Sequence, residues 1–171
     1  MKHIILILII LLNFSCISAQ EITLKKGMTK AKIQKGTYYK TDHSIIKKFI
    51  GIWEGNVGGK KFKLKIFKEK VFLKGSDIYM DVLNGLYCFE NCNFENPNAF
   101  LSKTNGTFEM YEKGKIEFMI NDFKYKKLAN VNFEILENNT AKWTLFYTFS
   151  NKDKPKGFTI PKEMLLKKTN Q

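Results

Sequence analysis

Between Lys61 and Ile66 lysine and apolar residues alternate one for one, with Lys61, Lys63 and Lys65 interleaved with Phe62, Leu64 and Ile66. A period of two places these sets on opposite faces of a strand and fits no helix. One face lies in water and the other on a core, as in antiparallel sheets wetted on one side. Gly58-Gly59 just before the run is a hairpin signal, so residues 52–57 are expected to pair with residues 60–67.

Further strands are expected at short intervals over 71–73, 78–89, 100–103, 107–111, 115–125, 129–136, 141–149 and 164–167. Asn105-Gly106, Lys113-Gly114 and Asn138-Asn139 supply turns between them. Helical spacing occurs once, at Ile45, Ile46, Phe49 and Ile50, behind Thr41-Asp42 and ending at Gly51. About eight to ten antiparallel strands and one short N-terminal helix define an all-β fold, an up-and-down β-barrel in which closure removes exposed edges.

The amino terminus is set apart from this pattern. Lys2 and His3 precede an unbroken apolar run over residues 4–12, which as a helix spans only about 14 Å, roughly half a bilayer core. It reads as a signal peptide, residues 1–19, cut between Ala19 and Gln20, and the chain as exported, periplasmic or secreted. A competing reading makes Cys16 a lipid-anchored first residue. Residues 20–40 read as an extended arm and residues 41–171 as one barrel domain.

Every basic residue is Lys. Loss of the leader takes Lys2 and no acid from a formal net charge of +13, leaving +12. Nucleic-acid readers lean on Arg for bidentate contacts, and with none here a nucleic-acid partner is not expected. A general attraction to anionic surfaces is compatible with the charge. Cys88 and Cys92 remain after cleavage, and their spacing suits a structural disulfide closing a tight loop; two free thiols are the alternative.

No catalytic residue, metal set or cofactor motif stands out. His43 is the one His beyond the leader, so imidazole-based metal binding and His-assisted nucleophilic catalysis lack partners. Asp77, Asp81, Glu90 and Glu95 are read as surface charge before they are read as a carboxylate pair for hydrolysis.

At Gly51-Ile52-Trp53-Glu54-Gly55 the chain resembles the opening of lipocalin-type barrels, where a short helix leads into Gly-x-Trp on the first strand. Over nearly all of the mature chain it is similar to a family of small exported flavobacterial proteins to which no activity is assigned. The segments "FIGIWEGN", "KFKLKIFK", "IYMDVLNGLY" and "FTIPKEMLLKK" carry that similarity. The lipocalin resemblance implies a Trp packed across the barrel floor; the Arg that closes over it there has no counterpart in this chain. It also implies a small apolar ligand inside the barrel, with Trp53, Phe62, Leu64, Phe118, Phe133 and Trp143 as lining residues. A barrel of about eight strands either holds such a ligand or fills with side chains. The leading expectation is therefore a non-enzymatic ligand-binding barrel, and the alternative an interaction protein that presents a Lys-rich sheet face over a solid core. A carboxylate hydrolase comes last.

Overall fold

The computed structural model describes residues 20–26, 33–90, 94, 100–104, 108–122, 125, 127–146 and 157–169, with the side chains of 100–104, 108 and 109 excepted. The protein is mostly β. In chain order the elements are β1 Glu21–Thr23, β2 Tyr38–Lys40, α1 His43–Ile46, β3 Gly51–Val57, β4 Lys60–Leu73, β5 Ile78–Phe89 and β6 Phe100–Thr104. Then follow α2 Phe108–Glu112, β7 Lys115–Asp122, β8 Lys127–Ile135, β9 Thr140–Phe146 and β10 Glu163–Thr169.

The ten strands form one sheet in the order β1-β2-β5-β4-β3-β10-β9-β8-β7-β6, and β6 also pairs with β5. From β3 to β10 each strand runs antiparallel to its successor in the chain, and β10 returns to β3 through Lys168↔Trp53. The result is a curled, barrel-like wall. The sheet is not purely antiparallel as expected: β1 runs parallel to β2, and β2 parallel to β5. β1 and β2 thus add two short strands to the outer edge of β5.

Alternation builds the wall. Phe62, Leu64 and Ile66 are buried and the lysines between them lie outward or half covered. β7, β8 and β9 bury Ile116, Phe118, Ile120, Ala129, Val131, Phe133, Ala141, Trp143 and Leu145 in the same way. Left-handed backbone appears where hairpins need it, at Gly58, Gly59, Asn138 and Asn139.

Three local expectations differ from the structure. The helix expected through residue 50 is a single turn, with Asp42 as its cap, accepting from Ser44 N at 2.8 Å. Of residues 107–111, expected as a strand, 108–111 belong instead to the helical turn α2, whose Tyr111 ring packs 6.0 Å from Phe49, and residue 107 lies outside the described residues. The strands expected over 60–67 and 71–73 are one continuous β4. Near the end of β4, Phe72 is exposed. α1 and α2 touch each other, so both lie at the end of the wall where β3 begins. The opposite end carries the β3–β4, β5–β6, β7–β8 and β9–β10 connections.

Candidate functional site at the loop end of the wall

All six residues expected to line a ligand cavity come together in the core, each 0 or 1% exposed. They fill space by touching one another. Trp53 meets Phe133 edge-on at 5.0 Å between centroids, Phe62 meets Trp143 at 4.9 Å, and Phe118 lies 6.1 Å from Phe133 and 6.5 Å from Trp143. Such rings each withdraw about 150–250 Å² from water. At about 25 cal/mol/Å² that is roughly 4–6 kcal/mol gross per ring.

The floor is closed around Trp53. Its indole Nε1 donates to Phe49 O at 2.8 Å, which ties the strand to the segment after α1. Lys168, paired opposite Trp53, sets its ammonium 5.5 Å from the indole ring and donates to Lys48 O at 3.1 Å and Lys47 O at 3.4 Å. Burial holds this amine below the ordinary lysine range. A lysine thus lies over the Trp in a chain that has no Arg to offer.

At the loop end a cavity of about 350 Å³ is lined by Val57 from the end of β3, Leu145 from β9, and residues 157–162 before β10. None of the six core residues lines it. Its wall is a strap fixed at several points. Leu145 N donates to Lys162 O at 2.7 Å, and Trp143 Nε1 donates to Pro161 O at 3.2 Å, so the core indole touches the cavity's rim.

The β7–β8 turn clamps the other part of the strap. Asp122 ends β7 and accepts from Thr159 N at 2.5 Å, Thr159 Oγ1 at 2.8 Å and Tyr125 N at 3.2 Å. Lys127, its register partner across the turn, donates to Gly157 O at 2.8 Å. Its ammonium lies 5.3 Å from the Phe158 ring and 5.7 Å from that of Tyr125. Both charged residues are buried. Nearby, Tyr87 donates to Asn121 O at 2.6 Å, and burial, then the Asp122 charge, pushes its phenol well above the ordinary range.

The arrangement can hold a small apolar body against Val57, Leu145, Phe158, Ile160 and Pro161. At about 350 Å³ it falls toward the small end of the range of about 300–1,000 Å³ in which ligand pockets are found. Among the described residues no group of three or more His, Cys, Asp or Glu side chains is placed to hold a metal.

The other residues singled out from sequence are dispersed. His43 is exposed in α1, and Glu90, also exposed, pairs with Lys60 at 2.7 Å. Asp77 is exposed in the β4–β5 turn. Asp81 is not surface charge, being 3% exposed and held by Tyr38 Oη at 2.6 Å, Thr41 N at 3.1 Å and Lys68 Nζ at 3.3 Å. Cys88 is buried on β5. Cys92, Glu95 and residues 1–19, with Cys16 and Ala19, lie outside the described residues. Among the described residues no helix is long and apolar enough to cross a membrane.

Fold and site together define a small, mostly β, barrel-like protein with a packed core and an apolar cavity at its loop end. Residues 1–112 match the model of a family of unknown function, DUF6705, and the chain belongs to that family. The match takes in β1 to α2 and stops before β7, so Asp122, Lys127 and the strap fall beyond it. Searches of the curated proteins and of the solved structures returned no match.

Proposed function

We propose that the protein is an exported, non-enzymatic binding protein with a lipocalin-like up-and-down barrel, and that it carries a small apolar ligand at the loop end of that barrel. The leader over residues 1–19 and a disulfide between Cys88 and Cys92 belong to the same reading, since a bonded pair suits an oxidising compartment. The apolar cavity bounded by Val57, Leu145 and the strap carries it. The six core residues act as a solid plug beneath the ligand, and Trp143, bonded to Pro161 at the rim, couples the two regions.

Native mass spectrometry of the mature protein from its own host, before and after denaturation, tests this reading. The expected result is a bound apolar mass that disappears on denaturation and is missing from Val57→Phe, whose larger side chain enters the cavity. A bare wild-type chain overturns the reading and favours the second one, an interaction protein with a filled interior. The mutual packing of the six core rings and side chains supports that alternative. Its outward lysine row is partly neutralised by the chain itself, because Glu54 takes both Lys61 at 2.9 Å and Lys63 at 3.2 Å.

A further inference from the structure

The β4–β5 hairpin outruns the rest of the wall. β3 accompanies β4 only as far as Gly51↔Ile66, yet β4 and β5 stay paired out to Leu73↔Ile78. Residues 67–73 carry the hairpin about 23 Å further at about 3.3 Å per residue. Over that length β2 flanks it through Tyr38↔Tyr79 and Tyr39↔Met80.

The tip is apolar on both faces. Phe72 and Tyr79 are cross-strand partners with ring centroids 4.9 Å apart, and they are 49% and 39% exposed. Leu73, the next residue along β4, belongs to the opposite face by alternation and is 37% exposed, while its partner Ile78 on that face is buried. Exposed Ile33 leads into the turn at Gly36, whose N–H donates to Asp77 O at the tip at 2.7 Å. Of the seven large hydrophobic residues exposed among the described residues, these four gather at or beside one tip; Leu128, Leu136 and Leu165 lie elsewhere. Burial in the core does not explain them.

Lysines stand among these side chains. The Lys70 ammonium lies 3.9 Å from the Tyr38 ring centroid and 4.9 Å from that of Tyr79, held between two aromatic faces. Lys74 sits in the tip turn and Lys35 in the turn bonded to it. The acids nearby are Asp81, the buried cross-strand partner of Lys70 that is taken up by Tyr38, Thr41 and Lys68; Glu69, which accepts from Asn84 Nδ2 at 2.5 Å; and Asp77.

A protein groove covers one face of a strand pair, and the other would stay wet. An interfacial lipid layer takes both faces at once, favours Tyr at headgroup depth, and lets lysines reach up to phosphates. We propose that this tip docks the protein on an anionic lipid surface. Phe72, Leu73 and Tyr79 enter the interfacial layer while Lys70 and Lys74 meet headgroup phosphates. The formal net charge of +13 for the whole chain draws it to such a surface, and the tip sets its orientation.

Sedimentation of the purified protein with phosphatidylcholine vesicles, with and without phosphatidylglycerol, reads this directly. Binding is expected only with phosphatidylglycerol present. The combined Phe72→Ser, Leu73→Ser and Tyr79→Ser variant should bind at least about tenfold more weakly. Lys70→Gln or Lys74→Gln should each cost about fivefold. Leu165→Ser, which removes a residue 66% exposed but far from the tip, should leave binding unchanged. Tyr79→Trp supplies a reading that does not depend on the triple variant's folding, since its emission should shift to the blue on adding the anionic vesicles. No vesicle binding, equal binding by a folded triple variant, an unshifted Tyr79→Trp spectrum, or capture of the tip by a soluble protein in place of vesicles would each overturn the proposal.

Discussion

Asp81 shows how one buried carboxylate ties the outer edge of the sheet to its frame. It joins β5 to Tyr38 on β2, to the backbone entering α1, and to Lys68 on β4. The Tyr38 hydroxyl and the Thr41 N–H would be left unsatisfied by an apolar replacement, at about 1–3 kcal/mol apiece for buried groups, whereas exposed Lys68 turns to water. Asp81→Leu is therefore expected to lose roughly 3 kcal/mol in urea unfolding. Asp81→Asn, which keeps an acceptor for Tyr38, should lose less. The same bond sets a pH dependence. The hydrogen bond to Asp81, then burial and the charges of Asp81 and Glu21, raise the Tyr38 phenol from 10.0 to about 12. The folded chain keeps this proton where the unfolded chain releases it. Tyr38's contribution to stability is complete below about pH 10 and lost as the pH rises to about 12. Unfolding across that window, with Tyr38→Phe as comparison, should show the variant losing less of its stability than the wild type. At the floor, Lys168→Met gives up two carbonyl bonds and the contact with Trp53, an expected loss of about 1–2 kcal/mol in thermal unfolding. Lys168→Arg should recover most of it.

The seam between β3 and β10 depends on a residue without a side chain. A Cβ at Gly55 would stand 2.7 Å from Leu166 Cδ2 and 2.9 Å from the Leu165 carbonyl oxygen, and the second of these is backbone. Gly55→Ala must push the strands apart, and a cost of about 1–3 kcal/mol is expected, as for overpacking elsewhere. Protection of β10 amides against hydrogen exchange should fall before that of β7 and β8. Which elements were legible in the sequence follows from what each one packs against. Strands with one face on the core kept their alternation, so β3, the first part of β4, β5 and the β8–β9 hairpin at Asn138-Asn139 stood out. Lys68, Glu69 and Lys70 hid the continuation of β4, because past Ile66 the β4 side chains are half-buried or exposed and the burial falls on β5, at Leu83, Asp81 and Ile78. Only the residue-by-residue pairing from Lys68↔Leu83 to Leu73↔Ile78 holds it extended. The segment around Tyr111 carries strand-forming residues yet turns as α2, where a contact with Phe49 outweighs propensity. β1 and β2 have three residues each and no period to read; their pairing with each other and with β5 determines them. The six core residues were legible as inward-facing. The cavity was not, since the strap is fixed by Asp122 and Lys127, which lie 37 and 30 residues from their partners Thr159 and Gly157 and leave no local signal.

For the molecule as a whole, charge is the largest imbalance. A formal net charge of +13 on 171 residues repels itself in the compact state, and every positive group is a lysine. Among the described residues the ion pairs that could offset this are mostly exposed ones, such as Lys60–Glu90, Lys115–Glu134 and Lys142–Glu163. Exposed pairs contribute about 0–1 kcal/mol, and salt screens them as it screens the repulsion. Lys68–Asp81 differs because its carboxylate is buried among further donors and loses little to screening. Two opposing salt effects thus act on one chain, and their relative size decides the sign. With lysines well in excess of acids and few strong pairs among the described residues, relief of repulsion wins. The melting temperature is expected to rise as sodium chloride is raised from low to physiological strength, where the Debye length is about 8 Å. It should rise less in a variant with Lys61, Lys65 and Lys70 changed to Gln, which begins with less repulsion to relieve. A melting temperature that falls with salt would mean that the exposed pairs, and not the lysine excess, dominate the electrostatics of the fold.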